Sequence, residues 1–204
     1  MHHRTAILHL KRVDPVMARV IVAVGPCRWA RRTDGTHFHH LVRAIVYQQL
    51  SGKAAAAIHG RLLEVAGSDV PHPRVVAAIP DERLRGAGLS RQKACYIKDL
   101  ARRVHAGELP LDGIESLPDD AVIEALTQVK GIGRWSAQMF LMFRLGRPDV
   151  LPELDLGIRK AVKLAWGLRS MPGPKRVLKI GAAWSPWATV ASWYLWRSLD
   201  GPAA

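Results

Sequence analysis

In Leu126-Thr-Gln-Val129-Lys-Gly131-Ile-Gly133-Arg-Trp135-Ser136-Ala137, an amphipathic helix carrying Leu126 and Val129 runs into Gly-Ile-Gly and restarts at once. Two glycines allow a tight turn with positive φ, and the missing Cβ lets another backbone come close. The N–H groups of the turn and of the second helix start point outward without intrahelical partners. With the helix dipole they make an anion site suited to a phosphate, and Lys130 and Arg134 flank it with positive charge. An ordinary helix corner with a glycine cap would use the same two glycines. The complete pattern, together with the charge of the chain, favours nucleic acid.

That charge is +13, from 30 Lys+Arg against 17 Asp+Glu in 204 residues. With a pI of about 10.5, the surface favours polyanions. The apolar fraction of 49% argues against disorder, and the length suits one domain or two small ones. A spanning helix needs roughly 20 apolar residues; uninterrupted runs such as residues 20–24 stop after five, which excludes a transmembrane protein. Two cysteines, Cys27 and Cys95, exclude a disulfide framework and a four-thiolate metal site. The N-terminus carries no secretory signature, so a cytoplasmic protein is expected.

Working outward from the hairpin, the punctuation is helical throughout. Asp14-Pro15 supplies an N-cap and a proline at the first helical position, followed by Met17, Val20, Ile21 and Val24 at helical spacing until Gly25. Helices are expected over 37–49, 52–66, 73–79, 81–84, from the Ser90 cap to Gly107, from Asp119 through Leu126, over 134–144 and 156–166, and from Pro186 to about Leu199. Residues 20–24 have strand composition, but the cap before them favours helix. The fold class is all-α.

Four motifs narrow the family. The hairpin resembles the helix–hairpin–helix motif. Val150-Leu-Pro152-Glu-Leu-Asp155-Leu-Gly-Ile-Arg-Lys160 resembles the catalytic-Asp loop of the helix–hairpin–helix DNA glycosylase superfamily. Leu41-Val-Arg-Ala-Ile-Val-Tyr-Gln-Gln-Leu50-Ser-Gly-Lys53-Ala and Gly88-Leu-Ser-Arg-Gln-Lys93-Ala-Cys-Tyr96-Ile resemble signatures of its alkylpurine branch. Trp184-Ser-Pro186-Trp187, ending in Tyr194-Leu195-Trp196, resembles the C-terminal helix of that branch. In this order they cover about residues 14–199, and the family resembled is DNA-3-methyladenine glycosylase II.

The resemblance implies a monofunctional glycosylase that flips out and excises alkylated purines such as 3-methyladenine, leaving an abasic site. Such a base is cationic and leaves readily, so positive charge develops on the sugar. A carboxylate near C1′ stabilises it and can orient or deprotonate water. Asp155 matches the family's catalytic Asp; Glu153 is the rival carboxylate and Asp149 a weaker one. Bifunctional relatives carry a Schiff-base Lys two positions after the second hairpin glycine. Here that residue is Trp135, and an indole forms no Schiff base, so no lyase activity is expected. Trp135 instead offers a π-face to a flipped cationic base, and Trp196 matches the other aromatic wall. Met139 stands where a bacterial member has Tyr, and Ala188 where Arg is frequent.

Leu50 matches the wedge that fills the gap left by a flipped base. Gln48, Gln49 and Ser51 are candidate polar contacts to DNA beside it; Lys53, Arg91 and Lys93 are candidate phosphate contacts. Lys130, Gly131, Gly133 and Arg134 are the hairpin's DNA-binding residues. No cofactor is required. By resemblance alone, the carbonyls of Thr127, Val129 and Ile132 hold a structural Na+ or K+. His37, His39 and His40 cluster in sequence, but on a helix His39 diverges from the other two, and no Glu or Cys nearby completes a zinc site.

The expected architecture is two helical subdomains with a DNA-binding cleft between them: an N-terminal part over 1–36, a central bundle over 37–150 and a C-terminal part over 151–204, the two ends packing together. The partner is double-stranded DNA with alkylated bases, the chain a monomer, and the site of action the cytoplasm at the nucleoid. A non-catalytic hairpin module, or a glycosylase for an oxidised or deaminated base, are the alternatives; a membrane-surface protein ranks last, for want of a basic amphipathic helix.

Overall fold

The computed structural model describes residues 3–200. Every regular element among them is helical, and none of their helices is long and apolar enough to cross a membrane. Two compact units divide the chain: residues 32–140, and residues 1–31 with 141–204.

The unit over 32–140 holds α3 (His37–Tyr47), α4 (Gly52–Ala66), α5 (Pro73–Ala78), α6 (Asp81–Gly86), α7 (Arg91–His105), α8 (Asp119–Thr127) and α9 (Arg134–Phe140). Its α7 packs against both α3 and α5. Leu41, Ile45, Leu62, Leu84, Ile97, Leu100 and Leu126 are among its fully buried side chains. Thr36, Ser51 and Ser90 cap α3, α4 and α7, each accepting from a backbone N–H with its hydroxyl oxygen.

The other unit holds α1 (His3–Val13), α2 (Pro15–Val24), a π-helical turn (Leu141–Leu145), α10 (Leu156–Ala165), α11 (Pro174–Gly181) and α12 (Ala188–Arg197). Leu10, Met17, Ile158, Val162, Val177, Trp184 and Tyr194 form its core. Asp14 caps α2 as its sequence predicts, Oδ1 accepting from the N–H of Val16 at 2.9 Å and of Met17 at 3.1 Å. Its Oδ2 also accepts from the Trp184 indole N–H at 3.0 Å. A buried indole N–H needs an acceptor, so one carboxylate starts a helix and anchors a core tryptophan.

The differences from expectation have physical causes. Helices α1 and α11 are additional to those expected: α1 buries Ala6 and Leu10 with Ile7 packed beside them, and α11 buries Val177 and Gly181 with Ile180 beside them, starting from Gly173, which offers no capping side chain. Helix α3 stops at Tyr47 because Gln48 turns to an extended ψ of 129° and Gln49 then to φ +55°, both outside helical space. The last helix starts at Ala188 rather than Pro186, because Trp187 at φ −125° and ψ 28° is not helical. The unit boundaries fall at 31/32 and 140/141, earlier than 36/37 and 150/151. The second lies where α9 gives way to the π-helical turn, inside a helical run that has no loop signal.

Candidate functional site

The hairpin joins α8 to α9. Val129 and Ile132 are buried and hold the loop down, and the Ile132 N–H donates to Val129 O at 3.1 Å. Gly131 has φ +81°, and a Cβ there would collide with the Tyr96 ring of α7. Gly133 needs neither licence: it has no left-handed φ, and a Cβ would meet nothing within 4 Å. The expectation of two conformationally required glycines is corrected to one. The expectation that the turn's N–H groups lack partners is corrected at Lys130, whose N–H donates to Asp99 Oδ2 at 3.0 Å. Burial alone would push the Asp99 carboxyl up. The Lys130 N–H and the hydrogen bond and charge of Arg103 outweigh it, with help from Arg102, and hold the carboxyl below the usual range. Residues 127–133 line an open depression of about 480 Å³.

Between α3 and α4, Gln48 to Ser51 form a short loop that leans on the hairpin. The Gln48 side-chain amide donates to Gly131 O at 2.9 Å. Gln49 adopts φ +55°, and Leu50 follows it with 39% of its surface exposed. Ser51 is the α4 cap, its Oγ accepting from the Ala54 N–H at 3.5 Å. Lys93, expected as a phosphate contact, instead donates Nζ to Val46 O and Gln48 O, both at 2.7 Å. It thereby satisfies carbonyls at the C-terminal end of α3 that have no intrahelical partner, and burial pushes its pKa down. Lys53 and Arg91 are exposed. On α9, Trp135 is 43% exposed, an unusual exposure for a large apolar ring, and Met139 follows one turn on, half-buried.

In the other unit, Asp155 is the N-cap of α10. Its Oδ1 accepts from the Ile158 N–H at 2.8 Å and from the Trp196 indole N–H of α12 at 2.9 Å. Trp196 lies against the Phe143 ring, centroids 6.0 Å apart. Gly157 makes room: a Cβ there would stand 3.0 Å from Asp155 Oδ1 and 3.1 Å from the Trp196 ring. Trp196, expected as an aromatic wall, therefore also donates to the carboxylate. Asp155 is half-buried, whereas Glu153 is 7% exposed. Asp149 fixes the start of α12, with Oδ1 accepting from the Ala188 N–H at 3.1 Å and Oδ2 from Ser185 Oγ at 2.5 Å.

Sequence reasoning missed Thr189 and Ser192, both fully buried on α12. Thr189 Oγ1 donates to Arg147 O at 2.7 Å and accepts from the Val150 N–H at 3.1 Å; Ser192 Oγ donates to Val150 O at 3.5 Å. They pin the start of the loop that ends at Asp155. The available signal was two hydroxyls on the apolar face of a helix, since buried hydroxyls need partners.

The histidines hold no metal arrangement: no group of three or more His, Cys, Asp or Glu could hold an ion among the described residues. His37 faces Glu115 at 3.5 Å, and His40 Nε2 lies 2.6 Å from Asp34 O. His39 stacks on His59 with centroids 5.2 Å apart and planes 10° apart. Burial, then the charges of His39 and Arg43, push His59 down to about 4 from 6.5. The unfolded chain therefore takes up this proton more readily than the folded one. Stability from this site is complete above pH 6.5 and is lost as the pH falls toward 4. Urea midpoints measured from pH 7.5 to 4.5 are expected to fall over that window, and less steeply in His59→Leu; equal slopes would refute the assignment.

Comparison with known proteins fits this geometry. The model of the HhH-GPD superfamily of base excision DNA repair proteins matches residues 42–186. DNA-3-methyladenine glycosylase 1 of Schizosaccharomyces pombe is 35% identical over 196 residues, covering 95% of this chain and 86% of that protein. The structure of a Schizosaccharomyces pombe 3-methyladenine DNA glycosylase in complex with abasic DNA superposes with a TM-score of 0.86 at 33% identity, over 98% of this chain and 99% of that one. A DNA-3-methyladenine glycosidase from Bacillus halodurans gives a TM-score of 0.86 at 36% identity, over 96% and 89%.

Proposed function

Since the chain belongs to the HhH-GPD superfamily of base excision DNA repair proteins, we propose that it is a monofunctional DNA glycosylase that excises alkylated purines such as 3-methyladenine and leaves an abasic site. The observation that carries this reading is the Asp155 carboxylate, fixed on one oxygen by the Ile158 N–H and the Trp196 indole. A carboxylate held in this way is preorganised to stabilise the positive charge that develops on the deoxyribose as the base departs, and to orient or deprotonate the attacking water.

An N-alkylated purine already carries the charge that makes it a leaving group, so the protein need not supply a strong acid. The exposed face of Trp135 suits a cationic flipped base, worth about 0.5–2 kcal/mol of cation–π attraction, with Met139 beside it. Leu50 is the wedge, flanked by Gln49 and Ser51. Lys130, Gly131, Gly133 and Arg134 bind the DNA backbone. The partner is double-stranded DNA with alkylated bases, met by a monomer in the nucleoid-containing cytoplasm.

No cofactor is required for this chemistry. A structural Na+ or K+ fits the hairpin: Thr127, Val129 and Ile132 line one depression, and carbonyl oxygens are hard donors that suit such ions. Val129 O accepts one hydrogen bond, from Ile132, and a carbonyl has two lone pairs. The ion would supply positive charge to a DNA phosphate.

The test is release of free base from methylated duplex DNA, with strand breaks scored before and after alkali. Free 3-methyladenine or 7-methylguanine is expected, with breaks only after alkali. Breaks without alkali would overturn the monofunctional assignment, and DNA binding with no base release would leave a non-catalytic module.

A further inference from the structure

Lys93, Tyr96 and Asp99 form one i, i+3, i+6 row on α7, and each holds a different piece of the backbone that the proposed function assigns to DNA. Lys93 Nζ binds Val46 O and Gln48 O. The Tyr96 ring underlies Gly131. Asp99 takes the Lys130 N–H. Gln48 then closes the circuit, its side-chain amide on Gly131 O at 2.9 Å. The loop so held contains Gln49 at φ +55°, a conformation that L-residues avoid and that persists where the surroundings over-determine it. Its next residue is the exposed Leu50.

We propose that Gln48 and Lys93 are positioning residues for base extrusion: they lock the Gln49–Leu50 turn to the hairpin, so that wedge and phosphate-binding loop meet DNA as one rigid piece. The inference rests on the glycosylase reading and deepens it. A wedge must push into the stack while the backbone on either side is held. If wedge and hairpin could shift independently, the strain at Gln49 would relax and Leu50 would fold back rather than insert. The tie matters only while a base must be driven out of its pair, and not for bond cleavage itself.

The test compares two duplexes, each with one 7-methylguanine, opposite cytosine in one and opposite an abasic-site analogue in the other. An unpaired base needs less work to extrude. In single turnover, Gln48→Ala and Lys93→Met are expected to lower the ratio of the paired to the unpaired release rate by about tenfold. Gln48→Glu, of the same size but without the amide donor, should match Gln48→Ala. In a Leu50→Ala background, Gln48→Ala should lower the ratio no further. Deuterium uptake should rise in both 48–51 and 128–133 in Gln48→Ala. An unchanged ratio in an active enzyme, or unchanged uptake at 128–133, overturns this proposal alone. A wild type that releases base from neither duplex overturns the glycosylase reading and this proposal with it.

Discussion

Asp155→Asn is expected to slow base release by about a hundred- to a thousandfold, the usual effect of removing one preorganised electrostatic group from a reaction centre. The substitution is unusually clean here. Asn caps helices about as well as Asp, so its Oδ1 can keep both the Ile158 N–H and the Trp196 indole. What is lost is the negative charge, and the fold should remain. DNA affinity should hold or rise, because a carboxylate near a phosphate backbone is repulsive. The check is single-turnover release of 7-methylguanine beside a binding titration and a thermal melt. A rate within threefold of wild type, in a folded variant that binds DNA, would move the catalytic role away from Asp155. Glu153 would not inherit it easily, being 7% exposed.

Gly131→Ala is expected to cost about 2–4 kcal/mol of stability, from a strained left-handed alanine and overpacking against a neighbour, and to weaken DNA binding together with base release. The two contributions can be separated. The φ of +81° penalises any side chain, whereas the nearest collisions are all with the Tyr96 ring. Combining Gly131→Ala with Tyr96→Ala should therefore recover the steric part, giving a favourable coupling of about 1 kcal/mol or more in a double-mutant cycle. Gly133→Ala is the contrast: with open space and no left-handed φ, it should change stability by less than about 0.5 kcal/mol. Denaturant unfolding of the four variants decides it. Additive costs would mean that Tyr96 yields, and equal costs at both glycines would mean that the turn differs from that described.

Much of the helical architecture was legible because its signals are local. Asp14-Pro15, Ser90 and Asp155 each announce a helix start through a side chain that accepts from N–H groups two or three residues on. The hairpin was legible because Gly-Ile-Gly interrupts two amphipathic runs. Helices α1 and α11 were not expected, although their apolar residues recur at helical spacing; α11 starts from Gly173, which has no side chain to announce a cap. The boundary at 140/141 was not, because it lies within a helical run. The end of α3 was misplaced because the turn at Gln49 is held by Lys93, from another helix.

By itself the sequence determined most of the helices, the family and the residue types of the proposed centre: Asp155 at a helix start, Trp135 in place of a Schiff-base lysine, and a glycine turn beside two cations. Those are matters of chemical identity and near-neighbour spacing. Only the tertiary structure decided what each side chain does with its hydrogen bonds. It gave Lys93 to the α3 carbonyls, Asp99 to the hairpin, Trp196 to Asp155, Asp14 to Trp184, and Thr189 to the loop before Asp155. The physical reason is that a donor's partner is set by which backbone lies within about 3 Å. For Asp14 and Trp184 that neighbour lies 170 positions along the chain, a separation that no periodicity encodes.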